Sequence, residues 1–181
     1  MNQTKEVAFE SYVEEMLLGQ AGWRAGDKTE WDVERALFPD RICAFVEATQ
    51  PKLWAEMRAL HAARLEKLLI SALAKELDLK GALHVLRHGF KFYGKSFRLA
   101  YFRPAHGLND EVLALYGKNQ LTITRQVLCH PGKHDTVDLL FAVNGLPVAT
   151  CELKNPGTGQ NWRHAVRQYQ RDRDPRAPLF G

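Results

Sequence analysis

Three residues near the C-terminal end have the types and the spacing to do chemistry together. Asp138 lies in "TVDLLFAV", and Glu152 and Lys154 lie in "VATCELK". The two runs flank Asn144-Gly145, a strong hairpin signal. A carboxylate and an ammonium closing an apolar run are costly to bury unless they are paired or bind a metal. Glu152 and Lys154 are two apart and so share one strand face. Two carboxylates with a lysine are what metal-assisted phosphodiester hydrolysis requires. The carboxylates hold Mg²⁺, a hard cation that prefers oxygen. The metal polarises the phosphate and makes a bound water more acidic, while the lysine orients that water or offsets charge on the phosphorane. On Glu152-x-Lys154 alone, an ordinary surface ion pair at a strand end is the better reading. Asp138 across the hairpin, and the helical pattern that follows, favour a nuclease.

This site makes a demand on register. A two-residue Asn144-Gly145 turn pairs Asp138 with Cys151, on the face opposite Glu152 and Lys154. A three-residue connection, with a bulge at Gly145, pairs Asp138 with Thr150 and unites the three side chains. Pro147, which has no N–H for a regular ladder, supports the irregular form. The expectation is therefore a bulged or odd-length connection, with Asp138 and Glu152 close enough for one ion.

The elements that must position these residues read as follows. "TKEVAFESYVEEMLL" places Phe9, Val13, Met16 and Leu17 at helical spacing, beside an acidic stripe of Glu6, Glu10 and Glu14. Gly19 and Gly22 end it. "WDVERALF" reads as a short helix capped by Asp32. Pro39 and Pro51 suit first helical positions, the second opening one long helix capped by Gly81. "ALHVLRHGFKF" and "SFRLAYF" read as strands, and a helix runs from Asn109 to Gly117. "QLTITRQVLC", "TVDLLFAV" and "LPVATCELK" are three strand-like runs. "NWRHAVRQYQRDRDP" returns to helix, with Arg163, Arg167 and Arg171 forming a basic ridge at every fourth residue. A solvated face explains that ridge as well as DNA phosphate contact does. The order predicts one mixed α/β domain over residues 1–181, helical to about residue 80 and sheet-containing over about 81–181.

The chain has 181 residues, 45% hydrophobic and 25% charged, a net charge of +4 and a pI near 9.0. This composition is ordinary for a globular domain, and the basic balance permits polyanion binding without demanding it. No apolar stretch approaches the length of a membrane helix, and no secretory signal is visible. Cys43, Cys129 and Cys151 are few, scattered and odd in number, which suits reduced thiols in the cytoplasm. "GFKFYGKS" matches the phosphate-loop pattern letter for letter, but it carries three aromatic rings and precedes a strand-like run instead of a helix. A hairpin turn is the better reading. His84 and His88, on a segment read as strand, would stand roughly 13 Å apart. Cys129, His130 and His134 lack the paired spacing of structural zinc.

With Asp138, Glu152 and Lys154 on a hairpin, the chain resembles the PD-(D/E)xK nuclease superfamily. "NGLPVATCELKNP", followed by a helix rich in Gln and Arg, is similar more narrowly to the N-terminal nuclease domain of type I restriction enzyme R subunits. That resemblance extends through "GWRAGDKTEWD", "FVEATQP", "LHVLRHGFKFYGKSFRLAYFRPAHGLN" and "RQYQRDRDP". It implies a restriction-endonuclease-like α/β fold: a mixed central sheet flanked by helices, with an N-terminal helical insertion. It implies Asp138 and Glu152 as metal ligands for Mg²⁺ (Mn²⁺ as a substitute) and Lys154 as catalytic lysine. Glu10 matches the acidic residue of the leading helix, with Glu6 as second choice, and Gln168 matches the Gln of a Gln-x-x-x-Tyr motif. The Tyr position of that motif holds Asp172 here, Tyr169 is out of register, and Val137 stands where the superfamily has Pro. The implied activity is cleavage of double-stranded DNA in a prokaryotic cytoplasm. Its partners would be methylation and specificity subunits, with ATP used by a motor further along a longer chain. A DNA-binding or docking domain that does not cleave is the rival reading.

Overall fold

β-Branched and apolar residues concentrate after residue 120, and the main sheet forms there. The computed structural model describes residues 3–180 except 21, 108, 155–158 and 160, with the backbone alone at 3–6. In chain order the elements are α1 (Gln3–Gln20), β1 (Arg24–Ala25), α2 (Pro39–Thr49), α3 (Pro51–His61), α4 (Leu65–Lys80), α5 (Ala82–His88), β2 (Phe90–Phe92), β3 (Lys95–Phe97), α6 (Asp110–Gly117), β4 (Leu121–Leu128), β5 (Thr136–Val143), β6 (Leu146–Cys151) and α7 (Trp162–Arg167). A π-helical turn, Gln168–Asp172, continues α7. The result is the expected mixed α/β fold.

The chain forms two compact units that interleave: residues 1–37, 121–142 and 149–181 in one, 38–120 and 143–148 in the other.

The main sheet has the order β1-β4-β5-β6. β1 runs parallel to β4, pairing Arg24 with Thr122 and Ala25 with Ile123. The β4–β5 connection closes with the Cys129 N–H donating to the Asp135 carbonyl (2.9 Å). It is too short for a parallel crossover, so the sheet is mixed. Val137, Leu139, Leu140 and Ala142 are all buried, as an interior strand requires. Gly26 is held by the β4 edge, and a Cβ there would fall 1.9 Å from Thr124 Oγ1. Helix α1 corrects the sequence reading. Phe9 and Met16 are exposed, while Glu10 is buried at 3% exposure. Glu10 and Glu14 face inward because Arg125 on β4 receives them. "WDVERALF" is a turn closed by an Asp32–Leu37 bridge, not a helix. Asp32 Oδ1 still accepts the Glu34 and Arg35 N–H groups, so the capping residue is present without the helix.

The second unit packs α2–α6 around the β2–β3 hairpin, with Phe45, Trp54, Leu69, Leu73 and Phe97 in its core. Pro39 and Pro51 open α2 and α3, and Gly81 caps α4, as expected. The single long helix is interrupted at residues 62–64, where Ala62 takes φ 50°. Trp54, Met57 and His61 before the break and Leu65, Leu69 and Leu73 after it are all buried. Residues 82–88 are helical, not extended. His84 and His88 are therefore one turn apart, with ring centroids at 4.6 Å. "GFKFYGKS" is a hairpin: Phe92 pairs with Lys95 around Tyr93-Gly94, both at positive φ. A strand follows it, so no helix N-terminus completes a phosphate cradle.

Candidate active site

The hairpin that carries the acidic residues turns on Asn144 and Gly145 alone, at φ 54° and 89°. This is the type I′ pattern, whose twist suits two antiparallel strands. The three-residue connection expected from the sequence does not form. In a continuous ladder such a turn would leave Asp138 and Glu152 on opposite faces. The strand stops at Cys151, however, so Glu152, Leu153 and Lys154 lie beyond the regular ladder. Asp138 reaches this segment through its side chain, Oδ2 accepting the Leu153 N–H at 2.6 Å.

Two further elements converge on Asp138. From α1, Glu10 presents both oxygens to β4. Oε2 accepts Arg125 Nη2 (3.0 Å) and Nε (3.2 Å), and Oε1 accepts Gln126 Nε2 (2.9 Å). The same Gln126 nitrogen donates to Asp138 Oδ1 (3.3 Å). Thr136 Oγ1 donates to Gln126 Oε1 (2.8 Å) and closes the network.

Glu152 is buried and paired. Its side chain is 2% exposed and pairs with Arg173, itself 8% exposed. Gln168 Nε2 donates to Glu152 Oε2 (3.3 Å). Arg173 also donates to the Thr136 carbonyl (2.7 Å) and to Cys129 Sγ (3.5 Å). Burial pushes the Glu152 carboxyl above its usual range; Arg173 opposes the shift, Asp138 adds to it and Lys154 lowers it. The π-turn explains how Gln168 and Arg173 reach one carboxylate. Its i→i+5 bond, from the Arg173 N–H to the Gln168 carbonyl (3.0 Å), stacks these residues on one side of the helix.

The structure thus links Glu10, Asp138, Glu152 and Gln168 through Gln126, Thr136 and Arg173, with Lys154 half-buried beside them. The Glu6 side chain, and the motif residues Asn155 and Pro156, lie outside the described residues. Tyr169 donates to Thr150 Oγ1 (2.8 Å) and packs edge-on against Phe180. Asp172, at the family's Tyr position, is exposed. Arg163, Arg167 and Arg171 are exposed, but the helix widens after Arg167, so they do not form one α-helical ridge. The sequence reading did not find Arg125, Gln126 or Arg173.

The donor set fits a hard divalent cation. Mg²⁺ commonly takes one or two carboxylates and completes its shell with water and phosphate oxygens. Each carboxylate offers about four lone-pair positions, so the hydrogen bonds to Asp138 and Glu152 leave acceptor capacity on both. Among the described residues no cluster of three or more His, Cys, Asp or Glu side chains stands ready for a metal, so water and substrate would supply the rest.

No curated protein and no solved structure matches the chain. The model of the type I restriction enzyme R protein N terminus matches residues 8–180, nearly the whole length, and the chain belongs to that family.

Proposed function

We propose that this chain is the nuclease domain of a type I restriction-modification complex and cleaves double-stranded DNA with Mg²⁺, Mn²⁺ serving as a substitute. The observation that carries this reading is the continuous network from Glu10 through Gln126 to Asp138, and through Thr136 and Arg173 to Glu152. Five residues chosen for chemistry stand around it, although 142 positions separate Glu10 from Glu152 (152 − 10).

In this reading Asp138 and Glu152 hold the ion with their remaining lone pairs. When bound, the metal polarises the scissile phosphate and makes a water acidic enough to attack it. Lys154 sets a positive charge beside the carboxylates, where negative charge on the phosphorane needs an offset. Gln168 and Arg173 fix the orientation of Glu152, and Glu10 with Gln126 fixes Asp138. Arg163, Arg167 and Arg171 supply contacts to DNA phosphates. Methylation and specificity subunits choose the DNA site, in a prokaryotic cytoplasm, and ATP serves a motor outside these residues. No described helix is long and apolar enough to cross a membrane.

Nicking of supercoiled plasmid by the chain and by the assembled complex, with and without Mg²⁺ or Mn²⁺, tests the proposal. Metal-dependent nicking that Lys154→Ala abolishes is the expected result. DNA binding without nicking in either setting refutes the reading and leaves the docking alternative.

A further inference from the structure

Gln126 sits inside β4 at φ 52°, whereas strand residues take strongly negative φ. A long, unbranched side chain gains nothing from the left-handed region, so the surroundings must impose it. What the conformation achieves is visible in the contacts. It aims one primary amide at two carboxylates from different elements, Glu10 Oε1 at 2.9 Å and Asp138 Oδ1 at 3.3 Å. The Thr136 hydroxyl donates to the amide oxygen at 2.8 Å, so the NH₂ group must face the two anions. Charge separates Gln126 from its neighbour. Arg125 neutralises Glu10, whereas the Gln126 amide ties Glu10 to Asp138 and leaves the negative charge of Asp138 in place for a cation. Gln126 and Thr136 also line an open cleft with Trp31 and His134, so this side of the network is reachable from solvent.

We infer that Gln126 is a positioning residue for the metal site: it sets the place and orientation of Asp138 relative to Glu10 before the cation arrives. The inference rests on the nuclease reading. Two substitutions separate this role from ordinary packing. Gln126→Asn keeps an amide, tolerates positive φ and is one methylene too short to span both carboxylates. Gln126→Gly accepts the backbone conformation and offers no side chain. Binding of Mn²⁺ to the 181-residue chain is measured by calorimetry and by electron paramagnetic resonance, and thermal melting is followed without metal.

Outer-shell partners commonly control metal affinity, so both variants, measured at a temperature where each is folded, should bind Mn²⁺ about tenfold more weakly than the wild type. The Glu10 oxygen left without its donor should lower the metal-free melting temperature of both. Affinity within about twofold of wild type in either variant overturns the inference, given how strongly such partners usually count. So does an affinity loss that scales with the fall in melting temperature between the two variants, because that is what loss of packing would produce. A wild-type chain that binds no Mn²⁺ removes the nuclease reading, and this role with it.

Discussion

Glu152→Ala would strip Arg173 of its anion at a site where both side chains are almost fully buried. Breaking such a pair from one side costs roughly 3–5 kcal/mol. Glu152→Ala is therefore expected to lower stability sharply in denaturant melts, and its loss of nicking would be uninformative. Glu152→Gln keeps the shape but still takes the anion from Arg173, so it too should lose stability. Lys154 is half-buried and forms no close ion pair with Glu152, so Lys154→Ala should abolish metal-dependent nicking while the chain still unfolds cooperatively near the wild-type midpoint. Wild-type nicking by Lys154→Ala would end its catalytic assignment. The sequence shows these residues because a carboxylate and an ammonium are conspicuous at the end of an apolar run. Arg125 carries a similar signal, a lone cation in "TITRQV" directly after two buried threonines, which needs a partner. Arg173 carries none, since it stands among Arg163, Arg167, Arg171 and Arg176 with nothing to mark it. Gln126 is equally silent, because its role follows from a backbone angle.

At the scale of elements, caps and turns were the legible part. Prolines at helix starts, Gly81 and the Asn144-Gly145 turn stand where their local chemistry puts them. Periodicity misled where a tertiary partner overrode it, as in α1, where Glu10 and Glu14 turn inward to Arg125. The hairpin connection was misjudged because the sequence argument assumed that β6 continues through Glu152. Helix α2 carries a chemical consequence of its packing. Burial, then the nearby charges of Glu66 and Asp40, push the Cys43 thiol up to about 12 from an ordinary 9.0. At pH 8 only about one folded molecule in ten thousand presents a thiolate, so iodoacetamide should label Cys43 only after unfolding. The sign of the linkage follows. Below pH 9 both states hold the proton. Between 9 and 12 the unfolded chain releases it first, so the contribution of Cys43 to stability is lost as pH rises through that window. Labelling of native Cys43 at the rate of a free thiol would contradict this burial. On the terminal helix, replacing Arg163, Arg167 and Arg171 together by Ala should weaken DNA binding. It should also flatten the plot of log affinity against log salt, by up to about 2–3 units of slope for three phosphate contacts. An unchanged slope would leave these arginines as a solvated face.

For the molecule as a whole, Asn144 shows what the interleaved partition demands. It belongs to the second unit and is 3% exposed. Its side chain accepts the Gln120 N–H (2.7 Å) and donates to the Leu99 carbonyl (2.8 Å) and Asn119 Oδ1 (2.9 Å). Beside it, the Gly145 carbonyl accepts the Phe38 N–H (3.0 Å). Asn144→Gly satisfies the turn as well as asparagine does, yet it takes the donor from the buried Leu99 carbonyl, at roughly 1–3 kcal/mol, and removes the acceptor of the Gln120 N–H. The variant should therefore melt well below wild type, and an equal midpoint would show that only the turn matters. The pair Asn144-Gly145 announced a turn, and nothing in the sequence announced that the turn is also a core. The consequence reaches the gene. The chain passes between the units after residues 37, 120, 142 and 148, so no single cut in the reading frame separates them. A chimera of two relatives joined anywhere from residue 121 to 142 would take Leu99, Asn119 and Gln120 from one parent and Asn144 from the other. Leu99 and Gln120 lend only backbone groups, so recombination can exchange such pieces freely where both parents carry the Asn119–Asn144 side-chain pair.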